Sequence, residues 1–314
     1  MSIKKRKKKL TFFTLSGDVF LKDLIIELRK DYEIKHFFRG DEKEFHQLLH
    51  DTDIAWFEFC DQLAIAATKQ AKLCKYICRL HSFEMFTDLP KQVDWGKMDK
   101  LMFVNDVVHD YSVKKFNIPT EITTVIPNGV NGDKYKLADD KKFNKKVAYV
   151  GYINYKKGPQ LLLDTFYQIW KHDPSYTFHI AGDHQDERIQ LYFETMAQYL
   201  PFKIYWDGWQ QDIPAFLRNK DFIISTSLFE SFQYGVAEGM LQGCVPLVHN
   251  WLGSDKFYPE EYRFTFAEQA VEIVKKFEQA DNKQEIRESI RKHILDNFSV
   301  EKQIASTRKM LEEL

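Results

Sequence analysis

Two carboxylates, Glu230 and Glu238, stand eight positions apart in the segment Ser225 to Asn250, STSLFESFQYGVAEGMLQGCVPLVHN. Glu230 falls in a loop just after a strand pattern, and Glu238 on a helix pattern that begins near Phe232 to Gly235. A loop feeding a helix N-terminus presents unpaired backbone N–H groups and the positive end of the helix dipole, which suits an anion such as a diphosphate. Phosphate alone gives no reason for a carboxylate on each side of it. A ligand with hydroxyl groups at both ends does, because an ionised carboxylate only accepts hydrogen bonds and can take two hydroxyl donors. An isolated pair of carboxylates around a helix start could instead cap the helix and favour its dipole, so the surrounding residues must decide.

Those residues carry a resemblance. The segment resembles the donor-binding signature of the GT4-type retaining glycosyltransferases of the GT-B fold, glycosyl transferase group 1. Glu230, Glu238, Gly239, Gly243 and Val245-Pro246-Leu247-Val248 match its two Glu residues, small-residue helix and Gly-x-Pro turn before a strand. Gly151 to Gly158, GYINYKKG, is similar to the glycine loop that opens the family's second lobe, with Lys157 and Gly158 at its Lys-Gly positions. Ile126-Pro127-Asn128-Gly129-Val130 is similar to its interlobe turn, and Ile180-Ala181-Gly182 and Asp207-Gly208-Trp209 to strand ends lining its nucleotide pocket. The likeness extends over most of the chain.

The resemblance implies roles. Glu238 would hold the ribose hydroxyls of a nucleotide sugar, Glu230 would bind hydroxyls of the transferred sugar, and Lys157 would neutralise the diphosphate. The amides of Ser231, Phe232, Gln233 and Tyr234 would add hydrogen bonds to the same leaving group. His81 would sit beside the transferred sugar, and Gly17 would let the first-lobe loop approach the diphosphate closely. Gly158, Asn128, Tyr152 and Trp209 complete the expected donor-side set, with the two aromatic rings expected to pack rather than to stack on a base. The implied activity is transfer of a hexosyl unit from a UDP- or GDP-sugar to an acceptor hydroxyl, with a surface glycan or glycolipid as acceptor. Lys157 and the helix start supply the positive charge, so neither metal nor organic cofactor is expected.

The chain also departs from the family pattern. Tyr152 stands where many relatives carry Arg, with Lys156 as a substitute charge, and Ser231 and Gln233 replace glycines. The first lobe is short for the fold. Two competing classes are therefore kept: a non-catalytic nucleotide-sugar-binding subunit of a transferase complex, and an epimerase of the same fold.

The elements that must position these residues read as two α/β lobes. Short apolar runs alternate with segments of helical period, the pattern of parallel sheets covered by helices on both faces. The first half offers strands at Leu10 to Leu15, Ile34 to Phe38, Ile54 to Phe59, Tyr76 to Leu80, Leu101 to Val104 and Thr123 to Ile126, and Asp18 is placed to cap the first helix. The second half offers Val147 to Val150, Thr177 to Ile180, Lys203 to Trp206, Phe222 to Ser225 and Val245 to Val248. Helices are expected at Pro159 to Trp170, Glu187 to Tyr199, Ile213 to Asn219 and Tyr234 to Leu241, and the tail, Ala267 to Phe277 and Gln284 to Leu314, reads as helix without strand. The expected division is a Rossmann-like acceptor-side domain at 1–130, a polar linker at 131–145, a Rossmann-like nucleotide-sugar domain at 146–280, and C-terminal helices at 281–314 that could pack on either lobe or bridge both. Ligands in open α/β sheets bind at the C-terminal ends of the strands, so the expected site is the cleft between lobes. Neither lobe has G-x-G-x-x-G after its first strand, which disfavours a dinucleotide dehydrogenase.

Composition sets the outer bounds. Of 314 residues, 45 are Lys or Arg and 46 Asp or Glu, a balance that gives no general attraction for nucleic acid. Cys60, Cys74, Cys78 and Cys244 are too sparse for a disulfide framework, and Cys74 and Cys78, with no second Cys/His pair at the spacing zinc needs, read as buried thiols. No apolar run is long enough to span a membrane, and the expectation is a cytoplasmic protein. The one local excess of charge is Lys4, Lys5, Arg6, Lys7, Lys8 and Lys9. Such a run is ordinarily a solvated tail; its sharper reading is peripheral contact with anionic lipid at the inner face of the membrane.

Overall fold

The computed structural model describes residues 6–15 and 21–314. Gly17, the capping Asp18, Lys4 and Lys5 lie outside the described residues.

Contacts divide the chain into two units, Met1–Gly129 with Val300–Leu314 and Val130–Ser299. The first carries strands β1 (Lys9–Thr14), β2 (Glu33–Phe38), β3 (Ile54–Glu58), β4 (Lys75–Leu80), β5 (Lys100–Phe103) and β6 (Thr123–Val125), each within one residue of its expected limits. They pair in parallel in the order β2-β1-β3-β4-β5-β6. Strands with both faces covered must be apolar throughout: every residue of β3 is buried, whereas edge strand β2 buries only Phe37. Helices α1 (Lys22–Leu28), α2 (Glu42–His50), α3 (Gln62–Lys69) and α4 (Asp106–Phe116) connect the strands. Asp41, Asp61 and Asn105 cap the last three by accepting from the amides of Glu44, Leu63 and Val108. The loop after β3 begins with Phe59 at φ 80°, a left-handed conformation that a bulky aromatic residue rarely adopts.

The second unit repeats the plan with β7 (Lys146–Val150), β8 (Thr177–Ala181), β9 (Ile204–Trp206), β10 (Phe222–Ser225), β11 (Val245–His249) and β12 (Arg263–Phe264), ordered β12-β11-β10-β7-β8-β9. Its helices are α5 (Pro159–His172), α6 (Glu187–Met196), α7 (Ile213–Leu217), α8 (Tyr234–Leu241), α9 (Ala267–Gln279) and α10 (Lys283–Phe298). The two-residue β12, which precedes the expected helical tail, is not among the strands read from the sequence; it pairs with Val248 and His249 and is too short to show a period. Residues 131–145 pack with this unit, and Tyr135 among them is buried. Asp221 accepts from Arg287 Nη2 at 2.9 Å, both residues fully buried, and ties the start of β10 to α10.

Within the expected C-terminal helices the boundary falls at Ser299, whose extended backbone (φ −73°, ψ 152°) ends α10. The chain then returns to the first unit as α11 (Val300–Glu312), where Val300, Ile304, Met310 and Leu311 join a core with Leu21, Leu24, Ile25 and Leu28. Arg308 Nε donates to Asp31 Oδ2 at 2.8 Å beside that contact. Among the described residues no helix is long and apolar enough to cross a membrane.

Candidate functional site

In the second sheet the chain runs from β7 outward to β9 on one side and from β10 outward to β12 on the other. The crevice at the C-terminal ends of β7 and β10 is therefore the topological switch point, where open α/β sheets bind ligands. The Gly151–Gly158 loop follows β7, and the Glu230 segment follows β10. The sequence-predicted residues meet here because two backbone ties stitch the loops together. Thr226 Oγ1 donates to Lys157 O at 2.8 Å, and the Leu228 amide donates to Lys156 O at 2.8 Å. Gly158, at φ +60°, lies so close that a Cβ would stand 2.2 Å from Thr226 O, and its conformation is the left-handed one that glycine adopts without strain.

The consequence is a charge cluster around Glu230. Its Oε1 accepts from Lys157 Nζ at 2.5 Å and from the Ser227 hydroxyl at 2.8 Å, and its Oε2 lies 3.1 Å from Lys156 Nζ. The carboxylate is buried, whereas the lysines are partly exposed. Burial alone would raise the Glu230 carboxyl's pKa; the charges of Lys157 and Lys156, with their hydrogen bonds and that of Ser227, reverse this and hold it below its ordinary value.

Beside the cluster α8 begins. Gln233 occupies the N-cap position without a side-chain cap to the helix, its Nε2 donating instead to Ser225 Oγ at 2.5 Å. Its buried Oε1 has no hydrogen-bond partner. Ser231, Phe232 and Gln233 are buried and Tyr234 is half-buried at this turn. Gly235 brings the helix against β7, since a Cβ there would meet Val150 O at 2.5 Å. One turn on, Glu238 is half-buried and its pKa is raised by burial; a hydrogen bond from Tyr135 and the charge of Lys134 oppose the rise without cancelling it. Glu238 is thus partnered by the 131–145 stretch rather than by the lysines that hold Glu230.

Tyr152 and Trp209, at the ends of β7 and β9, lie with ring centroids 5.0 Å apart and planes at 31°, packed on each other while 42% and 63% exposed. His81 and Asn128 are in the first unit. His81 follows β4, and its Nε2 lies 2.9 Å from Glu58 Oε1. Asn128 Oδ1 accepts from Arg79 Nη1 at 3.2 Å and from Gln303 Nε2 at 3.4 Å, so that side chain serves the same buried network. Gly17 falls outside the described residues. Of the N-terminal basic run, Lys7 Nζ donates to Arg29 O at 2.9 Å, Arg6 lies 3.8 Å from Asp53, and Lys9 opens β1 and pairs with Asp51. Of the two cysteines expected to be buried, Cys78 is and Cys74 is only half-buried; Cys60 and Cys244 are buried as well.

Sequence reasoning passed over Ser227, Glu58 and Arg79. The two charges were open to detection, because a Glu in IAWFEF and an Arg in YICRL interrupt otherwise apolar strands, and a buried charge must be paired.

The model of the family described as "Glycosyl transferases group 1" matches residues 134–296, more than half of the chain. No curated protein sequence matches. Among solved structures, HepE of Anabaena in complex with UDP-glucose superposes with a TM-score of 0.80 at 16% identity, over 98% of this chain and 100% of that one. A glycosyltransferase from Rickettsia africae gives 0.76 at 16%, over 98% of each chain. Sucrose-phosphate synthase from Thermosynechococcus elongatus gives 0.77 at 12%, over 98% and 99%. At such identities the likeness establishes the fold, two Rossmann-like doubly wound units of GT-B type. The family match reaches from Lys134 through the Lys157–Glu230 cluster to Asp296, and the chain belongs to the group 1 glycosyltransferases.

Proposed function

We propose that this enzyme moves a hexosyl unit from a UDP- or GDP-sugar to an acceptor hydroxyl with retention of configuration, acting on a surface glycan or glycolipid at the cytoplasmic side. The observation that carries the donor reading is the convergence of Lys156, Lys157 and Glu230 at the switch point of the second sheet, beside a helix start with no side-chain cap. The Anabaena protein solved with UDP-glucose supports a UDP-sugar as first choice. The second unit then takes the donor and the first the acceptor.

In this reading the diphosphate docks on the two ammonium groups and the amides of residues 231–234, and must compete with Glu230 for the lysines. The freed carboxylate then accepts from hydroxyls of the transferred sugar, and Glu238 from those of the ribose. The anomeric C–O bond to phosphate breaks, the acceptor oxygen bonds the same carbon on the same face, and its proton passes to the departing phosphate oxygen. Fixed positive charge where leaving-group charge develops is preorganised electrostatic stabilisation, which supplies the greatest share of the rate enhancement in many enzymes. Lys156 replaces the charge that Tyr152 does not provide. His81 stands beside the transferred sugar. If the acceptor is a glycolipid, Lys4, Lys5, Arg6, Lys7 and Lys8 contact anionic headgroups, while Lys9 remains bound to Asp51.

The test is release of nucleoside diphosphate from UDP-, GDP- and ADP-sugars, with and without glycan or glycolipid acceptors. Slow hydrolysis of one sugar nucleotide without acceptor, accelerated by an acceptor to give an α-linked product from an α-donor, is expected. An inverted product would end the retaining assignment, and a complete lack of turnover with every sugar nucleotide would end the donor assignment.

A further inference from the structure

Glu230 is held by more than its lysines. The Ser227 hydroxyl donates to its Oε1 at 2.8 Å, the Ser225 hydroxyl donates to Ser227 Oγ at 3.2 Å, and Gln233 Nε2 donates to Ser225 Oγ at 2.5 Å. All four side chains are buried. The direction of this chain follows from its end. An ionised carboxylate only accepts, so the Ser227 proton points to Glu230, the Ser225 proton points to Ser227, and Ser225 Oγ accepts from an N–H. The Gln233 amide is thereby set with its nitrogen toward Ser225 and its oxygen elsewhere.

Two features of Gln233 have no other account. At an N-cap position a side-chain oxygen ordinarily accepts from the first helix amides, yet Gln233 makes no such cap on α8. Its Oε1 is buried without a hydrogen-bond partner, which is destabilising. An Asp would cap the helix better but has no N–H to give to Ser225. The main chain of the middle link is fixed as well. A carbonyl only accepts, so His249 Nδ1, at the end of β11, donates to Ser227 O at 2.9 Å, and Thr226 and Leu228 on either side bond to the Gly151–Gly158 loop.

The lysines and the serine hold Glu230 differently. Docking of a diphosphate draws Lys157 and Lys156 away, and a buried carboxylate left with no donor would follow them or take up a proton. A neutral, buried hydroxyl attracts an incoming anion far less than an ammonium does, so the Ser227 bond outlasts the exchange of cations. A chain of hydrogen bonds running one way polarises its members and strengthens the last of them. We infer that Gln233, acting through Ser225 and Ser227, is a positioning residue that holds the Glu230 carboxylate in place for the transferred sugar once its lysines have turned to the diphosphate. This deepens the proposed function and rests on its assignment of Glu230 to the sugar and of the lysines to the diphosphate. The Gln233 side chain touches no substrate in this role.

The test compares Gln233→Leu, which keeps bulk and removes the amide, with Ser227→Ala and Glu230→Ala, each alone and the first two also combined with the third. Turnover is read as release of nucleoside diphosphate from the sugar nucleotide that the enzyme uses, and binding as calorimetric Kd for the nucleoside diphosphate alone. Ser227→Ala is expected to lose about ten- to a hundredfold in kcat, and Gln233→Leu, two links further from the carboxylate, about three- to tenfold, with Kd unchanged in both. Neither should lower kcat further once residue 230 has lost its carboxylate in Glu230→Ala. If Glu230→Ala is impaired while folded Ser227→Ala and Gln233→Leu keep wild-type kcat, the inference is overturned and the donor assignment stands. An equal loss with and without the Glu230 carboxylate also overturns it, since the effect then lies in the loop itself. Wild-type turnover by Glu230→Ala removes the role of that carboxylate and the inference with it. Should Ser227→Ala fail to fold, the Gln233 variants decide, with Gln233→Met in place of Gln233→Leu if the branched chain does not fit.

Discussion

Replacing Glu230 by Gln separates two effects that most site mutations confound. Glu230 is a buried carboxylate that holds Lys157 at 2.5 Å and Lys156 at 3.1 Å, the two cations assigned to the diphosphate. Gln keeps the shape and the hydrogen bond from Ser227 but removes the negative charge, so nucleoside diphosphate no longer competes with an internal anion for the ammonium groups. Both lysines are partly exposed, which limits each pair to about 0.5–1 kcal/mol. Two such pairs give about 1–2 kcal/mol, or about a 5- to 30-fold tighter Kd for UDP. Transfer should change in the opposite sense, because the carboxylate that would accept from the sugar hydroxyls is lost; kcat is expected to fall about 100-fold or more. Calorimetric titration with UDP, run at two salt concentrations, measures the first effect and steady-state release of UDP the second. UDP binding that is unchanged or weaker in Glu230→Gln would refute the exchange of cations between Glu230 and diphosphate, whatever happened to kcat.

Other perturbations follow from the same geometry. Lys157→Ala should lower kcat by about 100- to 1000-fold, and Lys156→Ala, whose side chain is 40% exposed against 25% and whose charge is better screened, by less; steady-state kinetics showing the reverse order would exchange the two roles. Gly158→Ala meets both a left-handed φ and Thr226 O at 2.2 Å, so a stability loss of at least about 1–2 kcal/mol is expected in denaturant titration, and a wild-type midpoint would contradict the close approach of the two loops. Burial pushes the Asp61 carboxyl up to about 7, with the charge of Glu84 adding to the rise. The folded protein therefore binds a proton that the unfolded chain has released, and Asp61 costs stability progressively as pH rises from about 4 to 7. Asp61→Asn keeps an equally good helix cap and should raise Tm at pH 8 but not at pH 4; an equal shift at both would place the effect elsewhere.

Much of the fold was legible because both sheets are parallel. Strands covered on two faces have no polar side, so β3, β4 and β10 stand out as mainly apolar runs, and their limits fall within a residue of those read from the sequence. Where burial is incomplete the signal fades. The edge strand Arg263–Phe264 pairs with two residues of β11 and leaves no periodicity to read. The break between α10 and α11 escaped for a different reason. Composition on both sides of Ser299 favours helix, and only the serine, a good N-cap, marks the place where the chain leaves one unit for the other. That the chain should return there depends on the core around Leu24 and Leu28, about 270 residues earlier in a chain of 314.

The site divides along the same line. Glu230, Lys157, Gly158 and the start of α8 could be read because each belongs to a short segment with fixed spacing, and the hydrogen bonds from Thr226 and Leu228 then bring the two segments together. Glu58 and Arg79 belong to no such segment. Their meeting depends on the register of β3 against β4, which sets Glu58 opposite Arg79, and a slip of one residue between the two strands would put the side chains on opposite faces of the sheet. Register is decided by the whole sheet and leaves no local spacing, so His81 could be singled out by resemblance while the charges packed beside it could not. What the sequence does retain is an energetic anomaly: two charges inside apolar strands, either of which would be strongly destabilising if unpaired. Pairing them with each other and then with a histidine satisfies that constraint in the first unit, much as Lys156 and Lys157 satisfy it for Glu230 in the second. The two networks differ in what surrounds them. Glu230 is held by partly exposed lysines that can turn to another anion, whereas Glu58 is held by an Arg79 that is fully buried and pairs with no other carboxylate among the described residues. The first arrangement suits exchange with a ligand, which is why substitution should shift binding at Glu230, whereas the second is a fixed tie between two strands.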